Sequence, residues 1–276
     1  MIDYRTASLS EVSVALSWAA DEGWNPGVDD AEAFYAADPQ GFFVAVDQNA
    51  EPIASISVVN HTPDFAFLGL YIVRPDFRGR GIGLGLWAHA LRHARSRTIG
   101  LDGVEAQQDN YRASGFTYAG GTTRFTGQIS GQPQPVIETF DPADITALVQ
   151  MEAAASGVSK PEYLHPWLTG TSNRTTFVMR DQGAVVGFCT IRACQTGAKI
   201  GPLVAENAAV ARKLVVHASA GFAGPISMDV PDTSIELQEL CRTLGWQPSF
   251  KTARMYRGGF DAPKHTCFAV SSLELG

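Results

Sequence analysis

Residues 74–87 read RPDFRGRGIGLGLW. Gly79, Gly81, Gly83 and Gly85 alternate through the stretch, and Arg74, Arg78 and Arg80 crowd its start. Glycines let a backbone approach a ligand closely and take positive φ. Arginines add forked donors suited to phosphate oxygens. A helix beginning inside the stretch would add unpaired N–H groups and the positive end of its dipole. Together these features describe a pyrophosphate cradle. Two common phosphate motifs fail. In G-x-G-x-x-G the last position would be Leu84 counted from Gly79, or Leu86 counted from Gly81, and the G-K-[ST] of a P-loop is absent. This register disfavours a nucleotide-dependent oxidoreductase.

Flanking elements must hold such a loop. FAFLGLYIV (65–73) is a nearly continuous apolar strand, expected to be buried on both faces. Leu84, Trp87, Ala88 and Leu91 mark the buried face of a helix running to about Ser96. Upstream, SLSEVSVALSWAA (8–20) has helical spacing, with Ser8 or Ser10 as cap. EGWNPG breaks it, and DDAEAFYAADP forms a second short helix. FFVAVDQNAEPIASISVV has the alternation of a β-hairpin. TIGLDGVEA holds another strand, and NYRASGF is a helical turn closed at Gly115.

The strand ending Tyr71-Ile72-Val73, then Pro75 and R-x-x-G-x-G at Arg78, Gly81 and Gly83, resembles the acetyl-CoA loop of the GCN5-related N-acetyltransferases, the GNAT superfamily. Tyr111, four residues before Gly115-Phe116, matches a second family feature. The resemblance implies acetyl-CoA as cosubstrate, held along Tyr71, Ile72 and Val73 and by Arg78, Gly79, Arg80, Gly81, Ile82, Gly83 and Leu84. It implies a general-acid role for Tyr111 toward the leaving sulfur. A backbone N–H near Tyr71–Val73 would meet the oxyanion. Asn110 directly precedes Tyr111, whereas the family's asparagine usually stands two helical turns earlier. Gln107 or Gln108 could take over its contact with CoA.

The base is open between Asp102, on the strand before the turn, and Glu105; Asp102-Gly103 also reads as a turn signal. Glu22, Trp24 and Asn25 of EGWNPG offer a carboxylate, an aromatic face and an amide, a set suited to a cationic amine. No metal-ligand spacing appears, and His89 and His93 read as surface residues.

Beyond QISGQPQP (128–135), a linker by composition, the element order restarts. TTFVMRDQGAVVGFCTIRA echoes the first hairpin, AKIGPLVAENAAVARKLVVHA is strand, loop and helix, and LCRTLGW echoes YRASGF. The chemistry is missing: VAENAAV replaces FRGRGIG, and Cys241 stands where Tyr111 does. The expected architecture is α/β, an α+β mixed sheet built from tandem GNAT-like domains. Each would be a twisted, mostly antiparallel sheet flanked by helices: a catalytic domain at 1–127 and a degenerate one at 136–276. With the terminal SSLELG, the pattern resembles bacterial two-domain acetyltransferases of the YitH type.

The implied function is acetyl transfer to a primary amine on a small molecule, with a non-catalytic acyl-CoA sensor as the alternative. A net charge of −7 argues against nucleic-acid binding. No apolar run reaches the roughly 18 residues of a membrane span, and no signal-peptide pattern opens the chain. Cys189, Cys194, Cys241 and Cys267 read as buried free thiols of a reducing compartment, which suits a cytoplasmic protein. A homodimer is compatible with all of this.

Overall fold

The computed structural model describes residues 2–260 and 263–276. The first half contains β1 (Asp3–Thr6), α1 (Leu9–Asp21), α2 (Asp30–Ala37), β2 (Phe42–Val46), β3 (Pro52–Asn60) and β4 (Phe65–Val73). It continues with α3 (Ile82–Ala94), β5 (Thr98–Val104), α4 (Gln108–Ala113) and β6 (Thr117–Gly127). The second half repeats the order with β7 (Ile137–Thr139), α5 (Ile145–Ser156), α6 (Pro161–Thr169), β8 (Arg174–Asp181), β9 (Ala184–Ala193) and β10 (Ala198–Ala205). Then follow α7 (Ala208–Ala218), β11 (Ile226–Pro231), α8 (Ile235–Thr243), β12 (Gln247–Arg257) and an added strand, β13 (Cys267–Ala269).

Local chemistry sets several boundaries. Ser8 caps α1 through a capping box with Glu11, whose carboxylate accepts from the Ser8 N–H at 2.8 Å. Asp47 turns the β2–β3 hairpin by accepting from the N–H groups of Asn49 and Glu51 at 2.9 and 3.0 Å. α3 starts at Ile82 with Gly81 as its N-cap. Its buried face is therefore Ile82, Leu86, Trp87, Ala90 and Ala94. The expected face through Leu84 is corrected: Leu84 is 72% exposed.

All thirteen strands among the described residues form one mixed sheet, ordered β1-β2-β3-β4-β5-β12-β6-β11-β10-β9-β8-β7, with β13 paired to β10. This order is a pseudo-twofold about the β12–β6 pair. The halves have exchanged strands: β12 lies between β5 and β6, and β6 lies between β12 and β11. The chain passes from one half to the other at 128–135, but the sheet does not part there. That segment is itself packed down, with Gln132 N–H donating to the Val216 carbonyl at 3.1 Å and Gln134 N–H to His217 Nδ1 at 2.9 Å.

Three cores follow. One lies under α3 in the first half and one under α7 and α8 in the second. The third joins α1 and α2 to α5 and α6, with Phe34 stacked on Trp167 at 5.9 Å between ring centroids. Each large apolar side chain so buried contributes about 1.5–3 kcal/mol, and in the third core that gain depends on both halves.

In each half the two central parallel strands pair and then part. β4 and β5 pair from Phe65↔Thr98 to Leu68↔Leu101. β10 and β11 pair from Ala198↔Ile226 to Ile200↔Met228. In the second half β13 fills the gap, pairing with β10 at Leu203↔Ala269 and Val204↔Cys267. In the first half no strand among the described residues fills the gap beyond Leu68.

Candidate active site

The loop leaving β4 is shaped by two left-handed residues, Gly79 at φ 74° and Gly81 at φ 76°, positions a side chain would strain. The first backbone bond of α3 is Gly85 N–H to the Gly81 carbonyl at 3.0 Å. The N–H groups of Ile82, Gly83 and Leu84 precede it and face outward along the dipole. A Cβ on Gly83 would stand 2.7 Å from the Tyr71 hydroxyl, so glycine there lets α3 lie against β4. The loop thus fits a diphosphate, as its sequence implies.

Its arginines divide. The Arg80 guanidinium lies over the Phe77 ring at 5.3 Å. Arg78 turns back: its Nε donates to the Val73 carbonyl at 2.8 Å, and its Nη2 pairs with Glu22. Arg78 and Glu22 therefore tie the loop to the end of α1, and Glu22 lines neither of the two clefts described below.

Where β4 parts from β5, Leu70 takes φ 46°, and the β3–β4 register slips between Ser55 and Ser57. This is a bulge that re-aims the backbone, with its carbonyl pinned by the Ser55 hydroxyl at 2.8 Å. A strained non-glycine residue inside a core strand points to function.

Two clefts converge on this bulge. One is lined by Tyr71, Leu84, Trp87, Gln107, Asn110 and Tyr111. The other lies on the far side and includes Trp24, Gly69, Leu70, Phe250, Thr252 and Glu274. They share Tyr71, Gln107 and Tyr111. The Tyr111 ring stacks on Trp87 with centroids 5.8 Å apart and rests on Gly103, where a Cβ would fall 2.8 Å from it. Burial, reinforced by Tyr71, pushes the Tyr111 phenol up to about 12. Its proton is firmly held at neutral pH. Asn110 Nδ2 donates to Gln107 Oε1 at 2.8 Å, which keeps Gln107 at the junction. Gln108 instead accepts from Arg112.

Asp102 lines the far cleft, but both of its oxygens accept from Arg254 of β12, at 2.8 and 2.7 Å. The same pair recurs across the pseudo-twofold. Arg124 of β6 donates to Asp229 of β11 at 2.7 and 2.9 Å, and in both pairs the two residues stand directly opposite across the strands. The second half keeps the pair without the loop or the tyrosine. Its common role is to clamp the exchanged strands. Glu105 begins the turn after β5 and is not among the lining residues of either cleft.

On the far side Trp24 enters the lining while Asn25 does not. Asn25 forms a reciprocal pair with Thr196 of the second half, donating from Nδ2 to its carbonyl at 2.9 Å and accepting from its N–H at 3.2 Å. The Trp24 carbonyl accepts from Arg124 at 2.7 Å and Lys199 at 3.2 Å. The amine-facing trio expected of EGWNPG is thus dispersed to an ion pair, a cleft wall and an inter-half tie.

Sequence reasoning did not find Glu274, which follows β13 and enters the far cleft at 4% exposure. Burial raises its carboxyl above the usual carboxylate range, with Lys199 and Arg124 opposing. Its signal was one acidic residue in the otherwise uncharged run CFAVSSLELG. Among the described residues, no three His, Cys, Asp or Glu side chains gather as a metal site, and no helix is long and apolar enough to cross a membrane. All four cysteines are buried and unpaired.

Residues 10–118 match the model of the acetyltransferase (GNAT) family, and residues 148–269 match a second model, an acetyltransferase (GNAT) domain. The chain is 34% identical over 277 residues to a holothin acyltransferase of Pseudoalteromonas sp. (strain SANK 73390), covering 99% of this chain and 94% of that protein. It is 23% identical over 185 residues to the uncharacterized N-acetyltransferase YitH of Bacillus subtilis (strain 168), 65% of each. A protein of Pyrococcus horikoshii assigned as an acetyltransferase shares the fold, with a TM-score of 0.83 at 19% identity, covering 100% of this chain and 96% of that one. The chain belongs to the GNAT superfamily, as a tandem member, and its chemistry is acyl transfer.

Proposed function

We propose that the protein is an acetyl-CoA-dependent N-acyltransferase whose acceptor is a primary amine on a small molecule. The observation that carries this reading is the meeting of two clefts at Tyr71, Gln107 and Tyr111. The loop at Gly79–Leu84 opens toward one of them and suits the diphosphate of the donor, while the exposed Leu84 offers an apolar surface beside it. The acceptor enters from the other. Its free amine attacks the thioester carbon at the bulge, the C–N bond forms, and the C–S bond breaks. A thiol titrates near about 8.5, well below Tyr111, so full proton transfer from the phenol to sulfur would run uphill. Tyr111 acts as a hydrogen-bond donor to the sulfur as charge develops there.

The test is release of free thiol from acetyl-CoA with a panel of small amines and with holothin, the acceptor in the name of the relative above, followed by mass spectrometry of the product. Thiol release with an acylated product supports the reading. Tight acetyl-CoA binding with no thiol release from any acceptor would instead make the protein a sensor.

A further inference from the structure

The step above leaves one proton unassigned, the one shed by the attacking amine. We propose that Glu274, delivered by the degenerate half, accepts it. The assignment rests on the acyl-transfer reading and adds a residue to it.

Four observations converge. First, Glu274 is 4% exposed, yet it lines the far cleft with Tyr71, Tyr111 and the bulge at Leu70. Second, its placement is built. A Cβ on Gly69 would fall 2.1 Å from the Glu274 backbone oxygen, so β4 carries glycine where this segment crosses it. On either side of the crossing, Leu275 is held by His61, Nε2 to carbonyl at 2.8 Å, and Gly276 by Lys160, Nζ to oxygen at 2.6 Å. Third, Asp102, the other carboxylate lining the cleft, is clamped by Arg254, while the buried Asp229 and Asp30, outside the lining, pair with Arg124 and with Arg192 at 3.2 Å. Glu274 is influenced by burial and by surrounding charges, but no hydrogen bond to a described residue occupies its carboxylate. Fourth, its charged surroundings are balanced. Lys199, Arg124 and Arg192 lower its proton affinity, while desolvation and Asp30 raise it, and the net direction is upward. A buried carboxylate of raised proton affinity is suited to a general base.

As nitrogen bonds to the acyl carbon it becomes cationic and passes a proton to Glu274, while the electron pair of the C–S bond leaves on sulfur beside Tyr111. Glu274 returns its proton to solvent through the cleft, and the thiolate takes one up. One segment therefore serves both halves: β13 occupies the gap between β10 and β11, and five residues later Glu274 sits at the open gap between β4 and β5.

Glu274→Gln and Glu274→Asp test this on the full chain, with thiol release followed across pH and acetyl-CoA affinity measured by calorimetry. Glu274→Gln should lower kcat by about 100-fold, with acetyl-CoA affinity unchanged within about twofold. In the unmodified protein kcat/KM, expressed per free (unprotonated) amine so that the acceptor's own titration is removed, should fall as pH drops through the carboxyl's titration, and this acid limb should vanish in Glu274→Gln. Glu274→Asp should recover part of kcat and restore the limb. An unchanged kcat, or an acid limb that persists in Glu274→Gln, overturns the assignment while the acyl-transfer reading stands. An unmodified protein that releases no thiol with any acceptor overturns both.

Discussion

At the scale of single residues, three titratable side chains of one cleft differ in their partners. Tyr111, Asp102 and Glu274 all line the far cleft, but only two of them are free to act there. Tyr111→Phe should lower kcat by about 100-fold and leave acetyl-CoA affinity nearly intact, because its donor meets charge that develops only in the transition state. Its phenol, held up to about 12 by burial and Tyr71, should add no loss of activity on the alkaline side until well above pH 10. Asp102→Asn should instead act on stability. Breaking a buried pair strands Arg254 and costs about 3–5 kcal/mol, and Asp229→Asn should cost a similar amount in denaturant melts. If Asp102→Asn abolished turnover at unchanged stability, Asp102 would be the base after all.

At the scale of elements, the loop proposed to hold the donor is legible because its parts are contiguous. A buried strand, a glycine-arginine loop and a helix follow one another in 65–94, and each boundary has a local cause. The spacing of Tyr111 to Gly115-Phe116 singles it out, and the structure puts it in the lining of both clefts. Leu84 was misread because the face of α3 depends on where Gly81 starts the helix, a one-residue question that periodicity does not settle. Glu274 was illegible for a different reason: it meets β4 through a crossing some two hundred residues away in the chain. That crossing can be disturbed from the β4 side. Gly69→Ala would place a methyl group 2.1 Å from the Glu274 backbone oxygen. It should push the carboxylate away and reduce kcat on the order of 100-fold, with a smaller change in acetyl-CoA affinity, both read from the same kinetic and calorimetric assays. Unchanged turnover would show that the segment can shift without consequence.

For the whole molecule, the sequence announces two similar halves and hides how they join. Element order is a local pattern, whereas the choice of β12 as the neighbour of β5 is a long-range pairing to which β6 is an equally plausible claimant. The structure makes each half incomplete alone. Residues 1–127 without β12 leave Asp102 unpaired and the β5–β6 gap open, so this fragment should not form a soluble monomer by size-exclusion chromatography and circular dichroism. Co-expression with residues 128–276 should restore a folded complex. A well-folded, monomeric 1–127 would show that the exchange is dispensable.

On the proposed reading, one half holds the donor and the other, its gap filled by β13, does not. Calorimetric titration of the intact chain with acetyl-CoA tests it most directly. One site per chain is expected, lost in the double variant Arg80→Glu, Gly81→Glu, which sets carboxylates against the diphosphate while circular dichroism shows the fold retained. Two sites per chain, or undiminished binding in that variant, would contradict it.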